Sequence, residues 1–333
     1  MEIKYLEYKV RNGDTLKSVA SRLGMTGEEL KLFHNSHCQK MDWVWFENLN
    51  EVKMLLVPTH FQTEKEKEQE RKNRLPSAVL SDSFFAKTYD VWEAIEGSFQ
   101  PDVKMNYTID LNLRKDQMLL TYAQKDFKSD GNIPGDKVSD LSMACMKSIM
   151  PIDFTLDHQG RICGFSDHKK ITAIFAGQRK ELEDFYTGEI TKKYVDSFEH
   201  NILDERFLLQ QFQSTLLFQT LFPEMKWFHR KTSWTEVFYF FQNSFPVQCH
   251  MEIEQENEDD HLLITTLKGK ITDWCSSREI LWGIRPDEMS SGDFTLKYTT
   301  HKKNKNLLHA KASLILKYEE ESIHQHNITI TQR

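Results

Sequence analysis

Residues 63–74 read Thr-Glu-Lys-Glu-Lys-Glu-Gln-Glu-Arg-Lys-Asn-Arg, without one apolar side chain. Such a run has no face to bury, so it suits a solvated helix or a flexible tether and joins no core. Leu75-Pro76-Ser77 breaks any helix that forms there, because proline lacks the amide hydrogen a helix needs. Whatever folds on either side must carry its own apolar interior. The 333-residue chain is therefore read as a small module over 1–60, a charged linker over 61–77 and a larger domain over 78–333.

In the larger domain, strand and helix periods fall into blocks. Over 103–122, Met105, Tyr107, Ile109 and Leu111 alternate with mostly polar neighbours, and Met118, Leu120 and Tyr122 continue the alternation. Lys115-Asp116 suits the turn between these two strands. Residues 130–136 carry loop chemistry, and 151–165 read as a hairpin turning at Asp157-His158-Gln159-Gly160. Over 169–221 apolar residues recur three and four apart. Phe175, Leu182, Phe185, Tyr194, Val195 and Phe198 mark one stripe, and Phe207, Leu208, Phe212, Leu216, Leu217 and Leu221 another. This predicts two or three amphipathic helices, broken near Thr187-Gly188 and around 201–204. Strands return over 236–241, 246–254, 261–270, 293–299, 307–318 and 322–331, with an acidic tip at 255–260 and a basic one at 302–306. Long hairpins flanking a helical block predict an α+β domain, a large antiparallel sheet with helices on one face.

The first module reads strand, helix, helix, strand. Tyr8-Lys9-Val10 is the first strand and Asn12-Gly13-Asp14-Thr15 a turn, whose Asp14 or Thr15 can cap the helix bearing Leu16, Val19, Ala20 and Leu23. Gly24 ends that helix. Thr26 and Glu29 form a capping box for a second helix, which carries Leu30, Phe33 and His34 and ends at Asn35. Met54 to Pro58 is the return strand. This order, with Tyr-x-Val, Gly-Asp-Thr-Leu, Val-Ala, Asn35 and Val57-Pro58 at these spacings, resembles the LysM family. The resemblance implies a βααβ fold and a shallow groove for N-acetylglucosamine-containing glycan, formed by the first turn and the loop after the second helix. Carried over, it implicates Gly13, Asp14, Thr15 and Asn35. The loop over 36–51 is longer than the family's and carries Met41, Trp43, Trp45 and Phe46; Trp43 and Trp45 are candidates to stack on sugar rings, or to form a hydrophobic cap.

Composition narrows the partners. A formal net charge of −7 argues against nucleic acid and against anionic membrane surfaces, both of which need a basic face. No run of about 18 apolar residues occurs, so no membrane span is expected. The five cysteines are scattered without a CxxC pair, which favours a reducing compartment. The N-terminus shows no signal peptide, so the reading is cytoplasmic, with export by a non-classical route left open. No phosphate-binding loop, GxSxG or HExxH motif is present, and neither cofactor, metal nor catalytic set is assigned. His34, His37 and Cys38 lack an evident fourth ligand. His324 and His326 are read as surface residues of the last strand.

Two functions follow as expectations. The first is a non-enzymatic protein binding peptidoglycan or chitin-like glycan through the LysM-like module. The second is an intracellular connector of a phage-tail-like contractile or secretion machine, with the module as a protein-interaction fold. A hydrolase is weaker, for want of a catalytic set. The block order of the larger domain is also similar to curved-sheet proteins that hold lipids or hydrophobic ligands between sheet and helices. Its share of the 22 phenylalanines could line such a cavity or simply fill a core.

Overall fold

The computed structural model describes residues 5–59, 64–98, 101–272, 290–318 and 321–333. The chain divides into two compact units, 1–73 and 74–333.

In the first unit, β1 (Tyr5–Lys9) pairs antiparallel with β2 (Met54–Pro58), in register from Tyr5 opposite Pro58 to Lys9 opposite Met54. Between them lie α1 (Leu16–Arg22) and α2 (Gly27–His37). Thr15 caps α1 and accepts from the Ser18 amide, while Leu23 and Gly24, at φ +72°, end it. Thr26 and Glu29 form the reciprocal capping box of α2. Leu16, Val19, Ala20, Met25, Leu30, Leu55 and Val57 make the core, and the long loop adds Val44 and Leu49 to it. That loop is thus part of the fold. The charged run forms α3 (Glu64–Arg74), which stops ahead of Pro76.

The second unit is built on an 11-stranded antiparallel sheet. Its first strand, β3 (Thr88–Gly97), lies inside the sheet. The chain then steps outward through β4 (Val103–Arg114) and β5 (Leu119–Ser129) to β6 (Ile152–Leu156) and β7 (Ile162–Phe165) at one edge. A helix, α4 (Lys137–Ser148), capped by Asp136, interrupts this path. The helical block follows: α5 (His168–Phe185), α6 (Glu189–Leu203), α7 (Glu205–Gln213) and α8 (Leu216–Leu221). It carries the chain to the opposite edge. From there β8 (Trp234–Phe238), β9 (Val247–Asn257), β10 (Leu262–Ile271), β11 (Ser290–His301), β12 (Leu307–Tyr318) and β13 (Glu321–Gln332) step back inward until β13 pairs with β3. The α+β reading with a large antiparallel sheet therefore holds. The helical block has four helices where two or three were expected, because Gly188 and Asp204 cap new starts at the two expected breaks and Thr215 caps a third.

Helix α8 packs on β12 and β13, so the helices cover the sheet's inner face. Phe154, Phe175 and Phe228 are fully buried there. Phe185, placed by its spacing in an apolar stripe, is instead 76% exposed at the end of α5. Gly269 on β10 sits opposite Phe294 on β11, and a Cβ at position 269 would fall within the Phe294 ring. The glycine lets Phe294 lie flat across the strand, with its ring centre 4.1 Å from that of Phe238. Gly269→Val should therefore displace Phe294 and destabilise the second unit by about 1–3 kcal/mol, read from the shift of its urea unfolding midpoint.

Candidate functional site

The residues that the LysM resemblance implicates are engaged in holding their own module. Gly13 occupies the exposed turn at φ +89°. Asp14 is buried, and both of its oxygens are taken. Oδ2 accepts from the Tyr8 hydroxyl at 2.8 Å and the Arg11 amide at 2.9 Å; Oδ1 accepts from Arg22 at 2.6 Å. These bonds hold the Asp14 carboxyl at about 2, the Arg11 amide contributing most. Thr15 is exposed, but its hydroxyl and amide are bonded to Ser18. Asn35 lies within α2 and does not end it. Its side chain donates to the Val44 carbonyl at 3.1 Å and accepts from the Val44 amide at 2.8 Å, which locks the long loop in place. The same loop closes over the first turn, where the Leu16 amide donates to the Glu47 carbonyl at 3.0 Å.

The loop aromatics divide. Trp43 is half-buried with its ring centre 5.4 Å from that of Trp45, whereas Trp45, Phe46 and Met41 are 62%, 78% and 93% exposed. His34 is buried with both nitrogens engaged, Nδ1 by the Leu56 amide and Nε2 by the Asp42 carbonyl, so neither is free for a metal. Among the described residues no group of three His, Cys, Asp or Glu side chains is placed to hold a metal ion. Of the cysteines, Cys145 and Cys249 are buried, Cys38 is half-buried and Cys163 exposed; none of these four is in a disulfide. Cys275 lies outside the described residues.

A second site lies in the larger unit, where the sequence offered no motif. A cavity of about 700 Å³ separates the inner face of the sheet from the helices, within the ordinary size range of small-molecule sites. Its helix wall includes Met146, Phe198, Phe212, Leu217 and Phe218; its sheet wall includes Met105, Tyr107, Tyr122 and Leu314. Gln242 and Asn243 line it and are exposed, so the cavity reaches the surface beside them. The phenylalanines thus do both things the sequence left open: some fill the core and others line this space.

Several polar side chains face the cavity from the sheet, Gln124 on β5 among them. Glu93 on β3 is buried and accepts from the Tyr107 hydroxyl of β4 at 2.8 Å. His324 and His326 project from β13 on the same face as buried Ile328 and Ile330, not onto the surface where the sequence reading put them. That reading failed because alternation gives two faces and does not say which is inward. The matching parity of Ile328 and Ile330 was the available signal. His324 is 3% exposed, and among the described residues neither of its ring nitrogens has a hydrogen-bond partner. His326 Nε2 is likewise unpartnered and stands 3.9 Å from Glu93 Oε2, too far for a hydrogen bond. Gly97, opposite His324, permits the close strand approach. A Cβ there would meet the Ile323 carbonyl oxygen at 2.5 Å.

Burial sets the charge state of the group. It pushes Glu93 up to about 7, only partly offset by the Tyr107 hydrogen bond. It lowers His324 to about 4 and, with help from neighbouring His324, lowers His326 to about 3. Around neutral pH both imidazoles are uncharged and Glu93 is poised between its two forms.

No protein-family model matches the chain, and no curated protein matches it. Among solved structures a lipovitellin, in a study of lipid–protein interactions, aligns with 10% identity and a TM-score of 0.37 over 74% of this chain and 24% of that one. A superposition that loose assigns neither fold nor function.

Two expectations follow. Asp14→Ala should unfold the first module, because it leaves the Arg11 amide and Tyr8 hydroxyl without their acceptor, and loss of its helical circular dichroism checks this. Glu93→Gln should stabilise the second unit at alkaline pH. The unfolded chain releases this proton near 4.5 and the folded chain near 7, so the penalty grows with pH across that window and is complete above it. The gain should reach up to ~3 kcal/mol near pH 8 and vanish near pH 4, measured by urea unfolding at each pH. The histidines bias stability the opposite way below about 6.5, an effect common to both proteins at any one pH.

Proposed function

We propose that this chain is a non-enzymatic binding protein whose larger unit holds an apolar small molecule between sheet and helices. The observation that carries this reading is the cavity itself: about 700 Å³, walled by Phe, Leu, Met and Tyr, with polar atoms of the wall left without partners. An interior that existed only for stability would close such a space, since unfilled volume in a core is destabilising.

The first unit, in this reading, is a LysM-type module that places the protein on its target. The βααβ order, the capping boxes and the Val57-Pro58 strand end support the assignment. With Asp14 and Asn35 engaged internally, a sugar would be met mainly by backbone groups of the first turn and by the exposed Trp45. Recognition of N-acetylglucosamine-containing glycan is the first target proposed. A protein partner, as in a connector of a contractile or secretion machine, is the second, and exposed Met41, Trp45 and Phe46 favour it because they offer an apolar contact wider than a sugar ring needs.

Each half has its own test. Titration of the full chain with N-phenyl-1-naphthylamine, an uncharged apolar dye, should show one saturable site. Leu217→Trp, which fills the cavity from its helix wall, should abolish it. Equal dye binding by the variant would place the dye elsewhere. For the first unit, co-sedimentation with peptidoglycan and with chitin should retain the full chain and fall several-fold in Trp45→Ala, a change that leaves the module's core intact. Asp14→Ala cannot serve here, because it is expected to remove the fold along with any binding. Absence of retention would turn the assignment toward a protein partner.

A further inference from the structure

The cavity's sheet wall says more about its occupant than that it is apolar. We infer that the ligand is an apolar molecule bearing an uncharged hydroxyl, and that His324, His326 and the Tyr107–Glu93 pair receive that hydroxyl. This rests on the cavity reading given above.

Geometry carries the inference. His324 is 3% exposed, lines the cavity, and has two unpartnered ring nitrogens among the described residues. A buried imidazole in that state lacks both an acceptor for its N–H and a donor for its bare nitrogen, and a native interior rarely leaves both unmet. Its ring centre lies 6.3 Å from that of His326, at 76° between planes. Two rings at that separation can each bring a nitrogen to ~2.9 Å from one shared oxygen. Beside them, Glu93 Oε2 and His326 Nε2 face each other across 3.9 Å without bonding. An oxygen cannot fit between atoms that close, but a hydroxyl lying to one side, ~2.9 Å from each, can accept from the imidazole and donate to the carboxyl. Glu93 is held by Tyr107 through its other oxygen, so Oε2 stays directed at the gap.

Charge decides among head groups. An ammonium would have to draw the one carboxyl here, Glu93, into its ionised form inside the wall, which burial opposes, and a carboxylate would face Glu93 at close range. Burial already resists ionisation of Glu93, Tyr107, His324 and His326 alike, so a second charge brought in by the ligand is unwelcome. A hydroxyl satisfies donors and acceptors together and brings no charge. A plain hydrocarbon would fill the apolar walls but leave His324 as unmet as before.

The test uses the full chain and displacement of N-phenyl-1-naphthylamine by decanol, decanoate, decylamine and decane at neutral pH. Decanol should displace the dye at concentrations at least ~10-fold lower than any of the other three. His324→Phe should bind the dye but bring decanol to the level of decane, and His326→Leu should do the same. His324→Gln, which keeps one donor and one acceptor, should restore part of the preference. Dye binding by each variant shows that the cavity is still formed. A charged analogue equal to decanol in the wild-type protein would overturn the inference and leave the cavity reading standing. So would a decanol preference that survives in both His324→Phe and His326→Leu, which would leave the gap to ordered water only. If the wild-type chain binds no dye and no decanol, the cavity reading and the inference fall together.

Discussion

The pairing of β3 with β13 is the interaction on which the second unit depends. It joins the first and last strands of that unit, in register from Gly97 opposite His324 to Tyr89 opposite Gln332. Without it, the sheet falls into two separate meanders, each with an open edge and half an inner face. The helical block, which links the outermost strands, would then cover neither half completely. The same seam carries the polar group, with Glu93 on one strand and His324 and His326 on the other. A place where the fold most needs apolar packing is thus where several hydrogen-bonding side chains line a cavity. That conflict between local chemistry and global stability is the usual mark of a site maintained for a purpose other than folding.

The first unit shows the converse. Its motif residues resemble those of a binding module, yet each has a structural role in this chain. Asp14 ties together β1, the first turn and α1; Thr15 starts α1; Asn35 fixes the long loop. A short unit with a core of nine buried apolar side chains needs such polar ties to set its turns, because its burial alone is modest. The long loop, by contrast, leaves Met41, Trp45 and Phe46 exposed.

Much of the architecture was legible because the decisive signals were local. The turn at Asp157–Gly160, the helix breaks at Gly188 and Asp204, and the capping box at Thr26 act within a few residues of themselves. What escaped the sequence was long-range. Strand β3 was missed since Glu93 stands among Tyr89, Val91 and Ile95 on the inner face and interrupts the apolar alternation, while Ala94 is buried on the other face. Helix α4 was missed because its buried side is only Leu141, Cys145 and Ser148. The strand expected at 236–241 lies earlier and ends at Phe238, in register with β9, whereas the one expected at 293–299 runs from Ser290 to His301, lengthened by pairing with β12. The cavity group was invisible for the same reason as β3: its members become neighbours only when the seam forms.

If His324 is present for a ligand, the ligand-free protein must be less stable for having it. The direct measurement is urea unfolding of the ligand-free full chain with and without His324→Leu, at neutral pH. Removing two unmet buried nitrogens should stabilise the second unit by about 1 kcal/mol or more. A loss of similar size would instead make His324 a structural support of the β3–β13 seam, and would contradict its assignment to a binding site.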